Sequence, residues 1–230
     1  MLIHGLQKMT LLDFPGHVAC TVFLSGCDLR CPFCHNFELA ENKAPALMTD
    51  EEFFAFLKKR SGLLDGVAVT GGEPCLNGEL PGFLKRCRDM GFMTKLDTNG
   101  HHPKMLERVL GEGLADYVAM DIKNSPRKYA MTAGVKHVDI DRIRSSIALL
   151  MGGDTDYEFR TTVVREFHEE DDLRQIGGMI AGAKRYFLQS FSDRDTVPFG
   201  GFSAPDRRTL EKYAAAAREY VPNTSLRGVD

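Results

Sequence analysis

Six apolar, β-branched runs, at residues 18–24, 66–70, 94–97, 117–122, 157–164 and 186–191, recur along this chain, each followed by an amphipathic stretch. Strand followed by helix, six times over, implies parallel pairing with helical crossovers. Thr49-Asp-Glu-Glu52 reads as a capping box opening the first helix, with Phe53, Phe56 and Leu57 on one face. Further helices are expected over 81–90, stopped by Gly91, over 103–110, stopped near Gly111 or Gly113, and over 141–151, stopped by Gly152 and Gly153. The stretch 171–184 is helical in pattern despite Gly177 and Gly178, and 205–220 aligns Leu210, Tyr213, Ala214 and Ala217. Eight such units would close a full barrel of ~250 residues. This chain is two units short, so an α/β fold built as a partial (β/α)6 barrel is expected. A doubly wound open sheet is the alternative, because periodicity does not separate the two. With 230 residues and no internal repeat or charged linker, one domain spanning 1–230 is the simpler division. It divides into an N-terminal extension at 1–17, the partial barrel at 18–191, and a C-terminal helix and tail at 192–230.

Parallel α/β proteins gather ligands at the C-terminal ends of their strands. The polar oddities of this sequence fall there. Cys27 follows the first strand, Thr70-Gly-Gly-Glu-Pro74 ends the second, and Asp97-Thr-Asn-Gly100 ends the third. Asp121 and Lys123 finish the fourth, Thr161 and Thr162 lie in the fifth, and Gln189 ends the sixth.

The bulk properties exclude several functions. The net charge is −3 with both signs scattered, so no basic patch points to nucleic acid. Residues 1–12 hold no long apolar stretch, so neither a signal peptide nor a membrane span is expected. A cytosolic location is the expectation, and there thiols stay reduced. Six cysteines then read as ligands and core residues rather than a disulfide framework. Cys20 alternates with Val18, Val22 and Leu24, and Cys87 falls in line with Leu80, Phe83 and Leu84, so both are expected to be small buried hydrophobes. Cys75 lies beside a candidate cofactor loop.

Cys27, Cys31 and Cys34 stand together in Ser25-Gly-Cys-Asp-Leu-Arg-Cys-Pro-Phe-Cys-His-Asn36. Soft thiolates select zinc, copper(I) or iron–sulfur clusters. Spacing alone admits a Cys3His zinc site completed by His35, or three corners of an iron–sulfur cube. All the candidates lie in one loop of a large domain that needs no zinc staple, which favours the cube. A cube with one unligated iron is a reaction site. Gly71 and Gly72 let a backbone approach a ligand closely, and Glu73 could receive an ammonium group. Lys123 offers a cation for a carboxylate, and Asp97 and Asp121 could share a cation or bind an amine.

These residues carry a family resemblance. Cys27-x3-Cys31-x2-Cys34, with Phe33 before the last cysteine, resembles the signature of radical S-adenosylmethionine enzymes, as does Gly-Gly-Glu-Pro after the second strand. Cys-Pro-Phe-Cys-His-Asn, Leu96-Asp-Thr-Asn-Gly100 and Met120-Asp-Ile-Lys123 resemble the activating enzymes of glycyl radical enzymes. Leu12-Asp-Phe-Pro-Gly16 and Val22-Phe-Leu-Ser-Gly-Cys27 are most similar to the activating proteins of anaerobic ribonucleoside-triphosphate reductase. The likeness covers roughly residues 3 to 191.

The resemblance implies a [4Fe–4S] cluster on Cys27, Cys31 and Cys34, with S-adenosylmethionine chelating the fourth iron. It implies that Gly71, Gly72 and Glu73 lie along the methionyl moiety. Asp97, Thr98 and Asp121 would lie near the amine or hold a monovalent cation. Lys123 would bind the carboxylate, Phe33 would pack near the adenine, and Asp13 and His35 would lie where a partner's glycine loop enters. It further implies reductive cleavage to a 5′-deoxyadenosyl radical that takes hydrogen from a glycine of a glycyl radical enzyme. The expected partner is anaerobic ribonucleotide reductase, and the expected electron donor is a flavodoxin or ferredoxin. Pyruvate formate-lyase activation is the alternative, and a radical enzyme acting on a small molecule or a zinc-binding module are the other readings. The histidine that related activases carry after the last strand is replaced here by Phe191-Ser-Asp-Arg194, and 37–48 holds no cysteine, so a single cluster is expected.

Overall fold

A computed structural model describes residues 1–229; residue 230, the last of the expected tail, lies outside the described residues. Eight strands form one sheet: β1 (Gly5–Thr10), β2 (Ala19–Leu24), β3 (Gly66–Gly71), β4 (Met93–Thr98), β5 (Tyr117–Asp121), β6 (Asp156–Val163), β7 (Tyr186–Ser190) and β8 (Thr224–Arg227). Their spatial order is their chain order. β1 pairs antiparallel with β2, and every other neighbouring pair is parallel. β1 and β8 do not pair with each other, so the curved sheet stays open along one seam. Each crossover carries one principal helix: α1 (Asp50–Lys58), α2 (Leu80–Asp89), α3 (Pro103–Gly111), α4 (Ile140–Gly152), α5 (Glu170–Met179) and α6 (Arg207–Arg218). This is the expected partial (β/α)6 barrel.

Helices α1, α4 and α6 begin where a short polar side chain satisfies a free amide. Thr49 accepts from Glu52 N while Glu52 Oε2 accepts from Thr49 N, the predicted capping box of α1. Asp206 accepts from Thr209 N at 2.7 Å and opens α6. α5 ends at Met179, five residues before the sequence pattern does. The chain turns there through Gly182, whose φ of +83° lies outside any helix.

Strand side chains alternate between two environments. Cys20, Val22, Leu24, Val67, Val69, Leu96, Val118, Phe159 and Val163 face the helices in the main core, where Cys87 is also fully buried. The other face lines the barrel interior. Its floor is sealed by Phe14 packed with Ala19, Tyr117 and Ala119. Just inside, Glu158 accepts from Tyr117 Oη at 2.8 Å and takes a bidentate pair from Arg227 at 2.7 and 2.8 Å.

β1 and β8 lie outside the six runs seen in the sequence. β8 reads Thr-Ser-Leu-Arg and gains its strand from pairing with β7, not from an apolar run. The region expected as a C-terminal helix and tail therefore returns to the sheet. Among the described residues no helix is long and apolar enough to cross a membrane.

Candidate active site

The cysteine loop leaves the C-terminal end of β2 and is fixed by its own backbone. Gly26 N donates to Leu39 O at 2.8 Å, Cys27 N to Ala40 O at 3.2 Å, and Cys34 N to Cys31 O at 3.1 Å. From the far side, Arg30 N donates to Ala133 O at 2.8 Å, which lays the segment after β5 over the loop. The glycine turn after β3 is stitched to the same loop. Glu73 N donates to Gly26 O at 2.7 Å, Gly72 N to Leu24 O at 2.9 Å, and Asn36 Nδ2 to Gly71 O at 3.1 Å.

That closeness requires glycine twice. Gly71 adopts φ +117°, and a Cβ on Gly72 would come within 2.0 Å of Gly26 O, a backbone atom that cannot swing aside. Gly72→Ala is expected to lose about 2–4 kcal/mol of stability, read as a lower denaturant midpoint.

The three thiols converge on a cavity of about 220 Å³ at the mouth of the barrel. Every predicted site residue except Asp13 lines it: Cys27, Cys31, Cys34, Phe33 and His35 from the loop, Gly71, Gly72 and Glu73 from the turn, and Asp97, Thr98, Asp121 and Lys123 from the next two strand ends. Asp13 belongs elsewhere because residues 11–18 turn at the opposite end of the strands. Its carboxylate enters from the floor and accepts from Thr21 Oγ1 at 2.6 Å. His35 is held at the mouth by a bond from its Nε2 to Ser192 O at 2.7 Å and by stacking on Phe191. Phe33 packs against Phe167 and Phe191. Thr162 lines the cavity, whereas Thr161 points the other way to Ile122 O and Tyr186 Oη.

Both oxygens of Glu73 are engaged within the protein. Its Oε1 accepts from Thr98 Oγ1 and Cys75 N at 2.8 and 2.9 Å, and its Oε2 accepts from Asn99 N at 2.6 Å. Only 1% of the residue is exposed, and burial pushes its carboxyl up against the pull of those donors. Glu73 thus braces the two turns against each other.

The wall opposite the thiols is a charged lattice in which the expected Asp97, Asp121 and Lys123 are joined by two residues the sequence did not single out, Arg160 and Lys95. Arg160 from β6 reaches Asp121 Oδ1 at 2.8 Å and Asp97 Oδ2 at 3.5 Å. Lys95, 2% exposed, pairs with Asp97, and Lys123 Nζ lies 3.0 Å from Asp121. Burial would raise both carboxyls, yet Arg160 with Lys95 holds Asp97 below its usual range, and Arg160 with Lys123 does the same for Asp121. Three cations stand against two carboxylates, so this wall presents one surplus positive charge and suits an incoming carboxylate. A monovalent cation at Asp97 and Asp121 would compete with the resident Lys95 and Arg160.

The thiols fit a metal cluster by the chemistry of the donor set. Burial pushes Cys27 up to about 12 and Cys31 up to about 11, and raises Cys34. Without a metal they are neutral thiols. Three sulfurs gathered where a thiolate is disfavoured become ligands only when a metal brings its own positive charge.

A profile of the Radical SAM superfamily matches residues 21–174. A Methanocaldococcus jannaschii protein, provisionally named a glycyl-radical enzyme activating enzyme, is 29% identical over 237 residues, covering 100% of this chain and 97% of that protein. The pyruvate formate-lyase-activating enzyme of Clostridium pasteurianum is 35% identical over 127 residues, 53% of this chain and 52% of that enzyme, so this likeness spans about half of each. Among solved structures, Streptococcus suis SuiB bound to S-adenosylmethionine is similar with a TM-score of 0.66, at 14% identity, over 90% of this chain and 48% of that one. That likeness is one of fold.

Proposed function

The chain belongs to the radical SAM superfamily, and from that membership we propose that it is an activating enzyme, removing a hydrogen from the Cα of a glycine in a partner glycyl radical enzyme. Anaerobic ribonucleoside-triphosphate reductase is the partner we propose, on the likeness of the N-terminal stretch. The pyruvate formate-lyase type is the alternative, supported by the likeness to the Clostridium enzyme. One observation carries the reading: three thiols, a two-glycine cradle and a net positive wall share one cavity at the mouth of an unclosed barrel.

Cys27, Cys31 and Cys34 would hold the [4Fe–4S] cluster that the family uses. Lys123 and Arg160 would meet the carboxylate of S-adenosylmethionine, Gly71 and Gly72 would lie along its methionyl moiety, and Phe33 would lie near its adenine. When bound, the cluster and S-adenosylmethionine supply the hydrogen-abstracting chemistry. The chain's own part is to position and to exclude water. The lattice of Asp97, Asp121, Lys95 and Arg160 holds Lys123 at a fixed height, and the bracing through Glu73 keeps the glycine turn pressed against the cysteine loop. The open seam between β1 and β8 gives a peptide loop lateral access past His35.

Anaerobic reconstitution with iron and sulfide, followed by addition of candidate partners, tests this. A glycyl radical signal in electron paramagnetic resonance is expected with one partner and absent without it. Formation of 5′-deoxyadenosine driven by a small metabolite, with no partner protein, would count against the reading.

A further inference from the structure

Behind the cysteine loop lies a second feature that the proposed reaction leaves unused. Asp28 follows Cys27 and accepts from three donors: Asn99 Nδ2 at 3.0 Å on one oxygen, and His101 Nδ1 at 2.5 Å with His102 Nε2 at 3.0 Å on the other. Asn99 Nδ2 also lies 3.8 Å from Cys27 Sγ. Neither histidine lines the active-site cavity. Both line a separate hollow of about 490 Å³ on the outer wall, together with Lys104, Arg108 and Arg142 over a floor that includes Cys75 and Met105.

No carboxylate lines that hollow. Among the described residues Lys104 has no acidic partner, Arg108 leans on Glu112 at 2.7 Å, and Arg142 stands 3.4 Å from Asp139. The hydrogen bond to Asp28 raises His102 against its burial. The first turn of α3 opens here as well and contributes the positive end of its dipole. Exposed long cations around a partly apolar floor have the anatomy of a protein interface more than that of a tight anion pocket. Cys27 thus lies between two entrances. The active-site cavity is on one side, and the cationic hollow is on the other, one carboxylate away.

We infer that this outer hollow is the docking surface of an acidic one-electron carrier protein, so that electrons arrive behind Cys27 while substrate occupies the mouth. The carrier loses one electron and the cluster held by Cys27, Cys31 and Cys34 gains it; no bond is made or broken and no proton moves. Charge complementarity steers the encounter. The inference rests on the cluster being held, and is independent of which glycyl radical enzyme is the partner.

The test is the double charge reversal Lys104→Glu with Arg142→Glu in the full chain, reconstituted without oxygen. Both positions lie in the first turn of a helix, where an acidic side chain is favourable, so the fold is retained. Bleaching of the visible cluster absorbance is followed by stopped flow, with reduced flavodoxin as the acidic carrier and photoreduced deazaflavin as a small reductant that needs no docking surface. Reduction by flavodoxin at low salt is expected to slow by about tenfold or more in the variant. The parent's rate should fall steeply with added salt and the variant's should not, while deazaflavin reduces both equally. Unchanged reduction by flavodoxin, or an equal loss with deazaflavin, overturns the inference. A parent protein that takes up no iron overturns the cluster assignment first, and the docking surface with it.

Discussion

Cys31→Ala, purified and reconstituted without oxygen, is expected to fold as the parent does yet to hold less than about a tenth of its iron. Cleavage of S-adenosylmethionine should be lost with it. Cys31 is the most buried of the three cavity thiols, at 7% exposure, and its neighbours leave it no substitute. His35 adjoins the loop but is committed to Ser192 O, and Cys75 is turned toward the outer hollow. Cys20→Ala is the matched control, because that thiol packs in the main core and faces no cavity. Iron determination and the visible spectrum read the difference directly. A Cys31→Ala protein that still forms 5′-deoxyadenosine would end the cluster assignment.

Arg160→Met is expected to be the most destabilising single change inside the barrel. It leaves Asp97 and Asp121 facing each other with Lys95 and Lys123 as their only counter-charges, each already paired. Breaking a buried ion pair from one side costs about 3–5 kcal/mol. Asp121 keeps 30% of its side chain exposed to the cavity, so the lower figure, about 3 kcal/mol, applies here. For a chain of this size that lowers Tm by about 6–12 °C. Combining it with Asp121→Asn should deepen the loss, since the second change takes from Lys123 its carboxylate partner. Calorimetry checks the stability. Equilibrium dialysis of S-adenosylmethionine against the same proteins checks whether the surplus positive charge also serves the ligand. If Arg160→Met unfolds at the parent's temperature, the lattice carries less of the fold than its geometry implies.

Much of the site could be read from the sequence because it is written in short contiguous runs. The cysteine loop, the Gly-Gly-Glu turn and the two aspartate strand ends each declare themselves within a few residues, and the strand-end rule brings them to one rim. Arg160 and Lys95 could not be read that way. A lone charge within an apolar strand reads as an outward-facing one until the strand's phase is known, and here the phase is set by Thr162 and Asp97 facing the cavity. Counting back by two from those positions would have turned both cations inward. Glu73 presents the opposite problem. Its place in the motif was plain, but its bonds to Thr98, Asn99 and Cys75 span loops that only the assembled barrel brings together. Asp13 was placed at the mouth by resemblance alone, although it precedes the run 18–24 and so stands at the N-terminal end of that strand, where its carboxylate accepts from Thr21. β8 was missed because its strand character comes from its neighbour.

Spatial order and chain order coincide across the whole sheet. Each strand therefore meets its partner after a single connection, and no pairing has to wait for a distant part of the chain. Emerging from the ribosome, such a molecule is laid down in courses, sulfur side first and cationic side last. The thiols exist before Lys123 and Arg160 do, so the surplus positive charge of the cavity wall is the final thing that synthesis provides.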